Sequence, residues 1–386
     1  KDIEIIALDD CSTDGSLIIA EKYLNDPRLT LIGNGKNSGS PFVQWEKGIK
    51  LAKSDIVWIA EGDDSCSKNF LESLIPYFEN ELVNIASAKT EMIDEKSELK
   101  KHAFDSYFEQ AHSNKFENSY IIQGIQEVNE QLGAVCTLIN ASGLLIRKSS
   151  FGSTLARAQS FKMCGDWLIY LECLKEGKLA YDVGAINYFR RHSASQVKKI
   201  EGTKEYFYER QLISEYVFSE FKTSKQLLIR AFSEINNEID RFAHLHETVD
   251  QLYDHKYIAK VRENLLISRK ILPNIAVVVS DLGPGGGQVF AIRLANAWMG
   301  LGGRVVLLNV NKYESHKNVI QKINPEIPII NLSNNINDVC LTYDIDIIHS
   351  SLWWADKYIH ENFMKIPERV RWVVTMHGCY ESLVMH

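Results

Sequence analysis

Short apolar runs divided by polar turns set the rhythm of this chain. Residues 3–8 (IEIIAL), 29–32 (LTLI) and 56–60 (IVWIA) are rich in β-branched and aromatic side chains, which predicts buried strands. Between them, 17–24 and 43–51 predict helices, the first preceded by Ser, Thr and Asp residues suited to capping. Residues 70–78 predict another helix, with Pro76 weakening its last turn. Strands alternating with helices imply a mostly parallel α/β sheet. The stretch 89–131 is polar and aperiodic, with helical patches and no motif. Residues 144–146 predict a strand. Residues 164–175 predict a helix with Leu168, Leu171 and Leu174 on one face, ended by Gly177. Two short strands, 179–183 and 186–189, precede the basic turn Arg190-Arg191-His192.

The pattern then shifts twice. After about Gln196, residues 203–271 contain no Pro and are dominated by Leu, Ile, Phe, Tyr, Glu, Lys and Arg, which predicts about three helices. No heptad is sustained, so a connector or packing module fits better than a coiled coil. At Pro273 the strand–helix grammar returns. Residues 274–280 (NIAVVVS) predict a strand, 281–288 a glycine-rich loop, and 289 to about 299 a helix. Further strands follow at 304–309, 345–349 and 372–375. The resulting division is a first α/β domain over 1–200, a helical connector over 201–272, and a second α/β domain, begun but not completed, over 273–386. The chain begins at Lys1 without an initiator Met and reads as a fragment cut at both ends.

Composition narrows the field. A length of 386 residues suits two or three domains, and 45% apolar with 24% charged residues is ordinary for a globular core. A net charge of −7 argues against a general nucleic-acid binder. The seven cysteines are scattered without a CxxC pair, which fits free thiols in a reducing compartment. No run approaches a membrane span, and no signal peptide is present, so a cytoplasmic protein is expected.

The most informative stretch is DIVWIAEGDD, residues 55–64. A buried-type strand ends in Glu61-Gly62-Asp63-Asp64, three carboxylates in four residues with a glycine to turn the backbone. In open α/β sheets ligands sit beyond the carboxyl ends of strands. Carboxylates crowded there repel unless a cation lies between them, and hard divalent ions take oxygen ligands. A metal site holding a phosphorylated substrate is one reading, and a solvated acidic turn is the other. Asp9-Asp10 ends another predicted strand, with a simple turn involving Ser12 and Thr13 as its alternative. Asp166 opens the helix at 164–175, where a carboxylate would also serve as a plain cap favoured by the helix dipole. Three such features together favour a site more than any one does. In the second domain, GPGGGQ between a strand and a helix suits close approach of phosphate or sugar to backbone N–H groups, or only a tight turn.

In order, DD-STDGS, WIAEGDD, GDW and RRHSASQV resemble the inverting family 2 glycosyltransferases of GT-A fold, over roughly residues 1–200. The resemblance implies an α/β nucleotide-diphospho-sugar transferase domain. Asp9, Asp10, Asp63, Arg190, Arg191 and His192 would then lie on the nucleotide, and Asp64 on a Mg²⁺ or Mn²⁺ ion. Asp166 would be the catalytic base. The donor would be a nucleotide-diphosphate sugar and the acceptor a glycan or lipid-linked molecule in polysaccharide biosynthesis, with peripheral membrane association in the second case. The chain departs from that family in lacking its first strand, which would lie between strands 3–8 and 56–60, so a gap or rearranged sheet is expected there. PGGGQVFAIRLANAWMGLGGRVVLL, IIHSSLWWAD and VVTMHGCYE are similar to the start of GT-B glycosyltransferases of family 4 type. That second likeness implies a partial Rossmann-like domain with Gly286, Gly287 and His377 in its cleft. Two other functions are weighed: a nucleotidyltransferase, and a non-catalytic carbohydrate-binding or scaffold module derived from a transferase.

Overall fold

The computed structural model describes residues 3–101, 103–104, 114–191, 200–243, 271–310, 316–331 and 335–375. The described chain divides into two compact units, drawn from Lys1–Val217 with Arg230–Ala259, and from Phe218–Ile229 with Lys260–His386. The division therefore falls inside the predicted helical stretch.

The first unit opens with a small parallel sheet of β1 (Ile5–Asp9) and β2 (Leu29–Gly33), in the register Ile5↔Leu29 to Asp9↔Gly33. Helices α1 (Ser16–Glu21) and α2 (Pro41–Leu51) flank these strands in sequence. The main sheet is separate. It contains β3 (Ile56–Trp58), β4 (Ser65–Cys66), β5 (Val83–Ile93), β6 (Tyr120–Gln123), β7 (Leu144–Arg147) and β8 (Lys178–Arg190). Its order is β3-β7-β5-β8-β4, with β6 also on β8. Among the described residues β1 pairs with β2 and β3 pairs with β7, so strands 3–8 and 56–60 are not joined. Glu4 ties their starts together, accepting N–H bonds from Lys53 (2.6 Å) and Ser54 (3.1 Å).

Several expectations are corrected. The main sheet is mixed rather than mostly parallel: only β5 and β8 run parallel, and the other pairings are antiparallel. A strand that sequence reasoning did not assign, β5, runs from Val83 into the start of the aperiodic region at 89–93; most of its first half is buried, so polar and apolar positions do not alternate. The two short strands are one strand, β8, interrupted where Asp182 accepts N–H bonds from Gly184 and Ala185. The helix expected over 70–78 is α3 (Phe70–Leu74) continued by a 3-10 turn, Ile75–Glu79, that accommodates Pro76.

The core beside β3 packs Phe70, Leu74, Val83, Ala86, Ala88, Leu145, Ala180 and Ala185, with Trp58 against them. Helix α4 (Gly165–Leu174) is buried nearly all round, through Trp167, Ile169 and Tyr170 as well as the expected leucines. A helix so enclosed is a fixed platform for whatever stands on its first turn. Two helices follow, α5 (Lys204–Glu220) and α6 (Lys225–Ala243), each crossing the division between units.

The second unit contains a short pair, β9 (Thr223–Ser224) with β10 (Ile271–Leu272), and a five-stranded parallel sheet. The sheet comprises β11 (Ile275–Val279), β12 (Val305–Asn309), β13 (Ile329–Asn331), β14 (Ile347–Ser350) and β15 (Arg371–Val374), in the order β13-β12-β11-β14-β15. Ile275, Val277 and Val279 pack towards Ala291, Ile292 and Ala295 of α7 (Gly286–Gly300). Ala276 and Val278 pack with Ala355 and Ile359 of α8 (Trp353–Glu361). Helices cover both faces, which is why β11 reads as an unbroken apolar run; the strand order is that of an open doubly wound sheet. Among the described residues no helix is long and apolar enough to cross a membrane.

Candidate active site

The backbone leaves β3 at Trp58 and turns through Gly62-Asp63 before β4 begins. That turn is anchored from the main sheet. Trp58 stacks on Phe70 with ring centroids 4.9 Å apart, and its indole N–H donates to the Ser142 carbonyl (2.8 Å). The Glu61 N–H donates to Ser142 Oγ (3.0 Å). Asp64 is held at both oxygens: Oδ1 accepts the Arg190 N–H (2.8 Å) and Oδ2 accepts Asn140 Nδ2 (2.5 Å). Asn140 is positioned in turn by Asn187 of β8, whose Nδ2 donates to Asn140 Oδ1 (2.6 Å). Asn140, Ser142 and Asn187 are all buried.

Asp63 is exposed at the tip of the turn. Arg190 braces it with a bond from Nε to the Asp63 carbonyl (2.7 Å), while Nη1 donates to the Asp94 carbonyl and Ser97 Oγ. Arg191 extends β8 through a bond to the Ile93 carbonyl and lies 3.8 Å from Glu201. His192 lies outside the described residues. Asp166 stands on the first turn of α4, its Oδ1 accepting the Trp167 N–H (2.7 Å).

These carboxylates sense one another. Burial, then the charges of Asp64, Asp166 and Asp63, push the Glu61 carboxyl up to about 8. Burial raises Asp166 to about 7 against the bond from Trp167, and Glu209 adds to the rise. Asp64 also lies above the usual carboxylate range, chiefly through burial, despite the bonds from Arg190, Ser142 and Asn140. Glu61 therefore feels the charges of Asp63, Asp64 and Asp166, and sequence reasoning quoted it without giving it a role.

The Asp9-Asp10 turn is built differently. Asp10 Oδ1 accepts Asn34 Nδ2 (2.7 Å) and Gln44 Nε2 (2.8 Å), and Ser38 donates to Oδ2 through its hydroxyl (2.7 Å) and to both oxygens through its N–H (3.0 Å). Burial acts to raise Asp10, but the bonds from Ser38 and Asn34 and the nearby Lys47 outweigh it and hold the carboxyl below its ordinary value. Asp9 Oδ2 accepts the Ser12 N–H (3.1 Å). Cys11, between the two, has φ of 65°, a left-handed conformation that costs a non-glycine residue and sharpens the turn.

Asn140, Ser142, Asn187 and Glu209 escaped sequence reasoning. The first two lie in a short turn before β7 and Asn187 inside a strand, none within a recognisable motif. The run of three carboxylates in four residues was the signal available for Glu61. Among the described residues no group of three or more His, Cys, Asp or Glu side chains is arranged to hold a metal ion on its own.

In the second unit, Asp281 organises the glycine loop, accepting the Gly283 N–H (2.7 Å), Gln288 Nε2 (3.2 Å) and Ser280 Oγ (3.0 Å). Gly287 packs closely, since a Cβ there would stand 2.2 Å from Leu352 Cδ2 and require that side chain to move. Gly286 faces no such neighbour. His377 lies outside the described residues.

Residues 1–133 match the model of Glycosyl transferase family 2. Cholesterol galactosyltransferase of Borreliella burgdorferi is 45% identical over 74 residues, 19% of this chain and 20% of that protein. Poly(ribitol-phosphate) beta-N-acetylglucosaminyltransferase TarS of Staphylococcus aureus is 32% identical over 78 residues, 20% of this chain and 14% of that protein. Crystal structures of S. aureus TarS 1–349 with UDP and with UDP-GlcNAc are 16% and 17% identical, each with a TM-score of 0.43; they cover 61% and 69% of this chain and 62% and 78% of theirs. The chain spans a fifth or less of the length of the curated relatives it matches. The family match over residues 1–133 and the two sugar-transferring relatives together support a glycosyltransferase.

Proposed function

We propose that the first unit transfers a sugar from a nucleotide-diphosphate sugar to a glycan or lipid-linked acceptor, with inversion at the anomeric carbon. The observation that carries this reading is the buttressed acidic turn after β3, where Asn140 and the Arg190 N–H hold Asp64 and Arg190 holds the Asp63 carbonyl, with Asp166 on the first turn of α4. Such an arrangement suits a substrate that delivers both cationic and nucleophilic partners for its carboxylates. Asp166, with a carboxyl near 7, is matched to removing a proton at neutral pH. In the reaction the acceptor hydroxyl oxygen forms the new bond to the anomeric carbon and its proton passes to Asp166. The bond from that carbon to the phosphate oxygen breaks, and the nucleoside diphosphate leaves with the electron pair.

The oxygen-only donors Asp64 and Asp63 fit Mg²⁺ or Mn²⁺ held jointly with substrate phosphates, the usual arrangement when a chain offers one or two carboxylates. When bound, such an ion supplies neutralisation of the charge on the departing diphosphate. The chain's own contribution is positional. Asn140 and the Arg190 N–H fix Asp64, and Arg190 holds the Asp63 carbonyl. We assign Asp9 to the nucleotide, and Asp10 to holding the 34–44 loop that receives it. Arg191 and His192 are assigned to the diphosphate. The reaction is placed in the cytoplasm, and at the inner membrane face when the acceptor is lipid-linked.

The second unit's strand order, with a glycine loop after its first strand, supports reading it as the start of a GT-B domain with Gly286, Gly287 and His377 in its cleft.

A donor screen tests the main reading. With Mn²⁺ present, one of the UDP-, GDP- or dTDP-sugars should be turned over, and Asp166→Asn should abolish turnover by about a thousandfold while donor binding persists. Binding of none of these donors would favour a scaffold module instead.

A further inference from the structure

The turn that presents Asp166 is secured from α5, beyond the part of the chain in which the transferase motifs lie. Glu209, 5% exposed, reaches the turn ahead of α4. Its Oε1 accepts the Lys162 N–H (2.6 Å), and its Oε2 accepts those of Met163 (2.9 Å) and Cys164 (2.8 Å). Cys164 is the residue before the first turn of α4, and no side chain of the helix's own entry caps it. A carboxylate from another helix thus satisfies N–H groups that a local Ser or Asp would ordinarily take.

The next residue secures the other side. Arg210, also 5% exposed, lies with its guanidinium carbon 4.6 Å from the Trp167 ring centre. Its Nη2 donates to the Ala134 carbonyl (3.3 Å) and its Nε to Glu238 of α6 (3.1 Å). Trp167 is also fixed by its own indole N–H, which donates to the Leu132 carbonyl (2.8 Å). Consecutive residues of α5 therefore grip the residues immediately before and after the Gly165-Asp166 pair.

Burying two opposite charges in succession is costly and is tolerated only where both are fully partnered. An apolar contact with a local cap would hold a helix equally well, so the remote charged grip calls for another reason. We propose that Glu209 is a positioning residue for sugar transfer, setting the turn on which Asp166 meets the acceptor hydroxyl, with Arg210 setting Trp167 beside it. The inference rests on Asp166 being the general base. It makes α5 part of the catalytic unit rather than a connector. A negative charge at Glu209 also disfavours ionisation of Asp166 and so strengthens it as a base. Groups that feel the charge of Asp166 are Glu61 from the turn after β3, Cys136, Cys164 and Tyr170, and Arg210 acts on the same two thiols.

The test uses the full chain in three variants, Glu209→Gln, Glu209→Ala and Asp166→Asn. Glu209→Gln keeps an acceptor oxygen but removes the charge. Carboxyl NMR of Asp166 should show its titration moving to lower pH in this variant, which should stay folded but melt below the parent because one acceptor of the turn's N–H groups has become an NH2. Glu209→Ala should lower kcat by about tenfold to a hundredfold, the usual cost of a small misplacement, with donor KM within about twofold. An Asp166 titration unmoved in Glu209→Gln overturns the inference, even if Glu209→Ala fails to fold. So does a Glu209→Ala protein with parental kcat. Should Asp166→Asn still turn over donor, the general-base reading itself is wrong. An inactive Asp166→Asn beside parental Glu209 variants removes only the role given to Glu209.

Discussion

Two acidic pairs mark turns of the first unit, Asp9-Asp10 at the end of β1 and Asp63-Asp64 before β4, and in them Asp10 and Asp64 are shifted in opposite directions. Asp10 is surrounded by donors from Asn34, Ser38 and Gln44, and its carboxyl is held below the usual range. Asp64 has bonds to both oxygens as well, yet burial and the neighbouring Asp63 leave it above that range. Hydrogen bonds and charge crowding pull in opposite directions, and burial decides which prevails. A pair of aspartates in a sequence therefore says little until its surroundings are known. The chain's own donors stabilise the charged form of Asp10, whereas burial works against that of Asp64.

The widest separation between the two should come from neutralising each in turn. Asp64→Asn is expected to lower transfer by a hundredfold or more, roughly the scale for losing a directed electrostatic contact, with melting unchanged or raised. Asp10→Asn should leave kcat nearly intact, raise donor KM only several-fold, and lower stability by about 1 kcal/mol, a figure reduced for its partial exposure. Steady-state kinetics with calorimetry of both variants would decide; equal losses of kcat would erase the distinction.

Asn140→Ala sharpens the same contrast through a residue that carries no charge. It removes the donor to Asp64 Oδ2 and leaves Asn187 Nδ2 in the core with only its 3.3 Å bond to Thr90 Oγ1, so a loss of about 1–3 kcal/mol is expected from chemical denaturation. Unchanged stability would mean that the buried amide pair contributes nothing to the turn.

The pH dependence should also have opposite signs. Glu61 and Asp166 bind protons more tightly folded than unfolded, so between about pH 4 and 8 the native state holds the extra protons and stability falls as pH rises. The slope is roughly 1 kcal/mol per pH unit for each group inside its own window. Asp10, with its lowered carboxyl, contributes stability that is present at neutral pH and lost as pH falls below about 4. Glu61→Gln should accordingly raise the melting temperature at pH 8 and leave it unchanged at pH 4. A gain equal at both would show that Glu61 is not protonated in the fold.

Much of the architecture was legible because it is local. Strands β11 and β12 of the second unit are buried on both faces, and its glycine loop lies where strand gives way to helix, so β11, β12 and α7 follow closely from the sequence. β5 was not, since VNIASAKTEMI mixes small, polar and charged residues in a strand buried by its neighbours. In the site, the acids were visible because carboxylates cluster in the sequence. Asn140, Ser142, Asn187 and Glu209 were not, because their roles depend on partners distant in the chain, 81 residues away in the bond from the Glu61 N–H to Ser142.

The separate β1–β2 sheet has a consequence for motion. None of the residues of β1, β2 or α1 is fully buried, whereas β5 and β7 lie in the core. Few apolar contacts and a two-strand ladder give such a segment a low opening free energy. In native-state deuterium exchange the amides of Ile6 and Leu31 should be labelled well before those of Ile85 and Leu145. The segment assigned to the nucleotide then behaves as a cooperative unit of its own, able to open while the carboxylate floor stays closed, and donor binding should be visible as its selective protection.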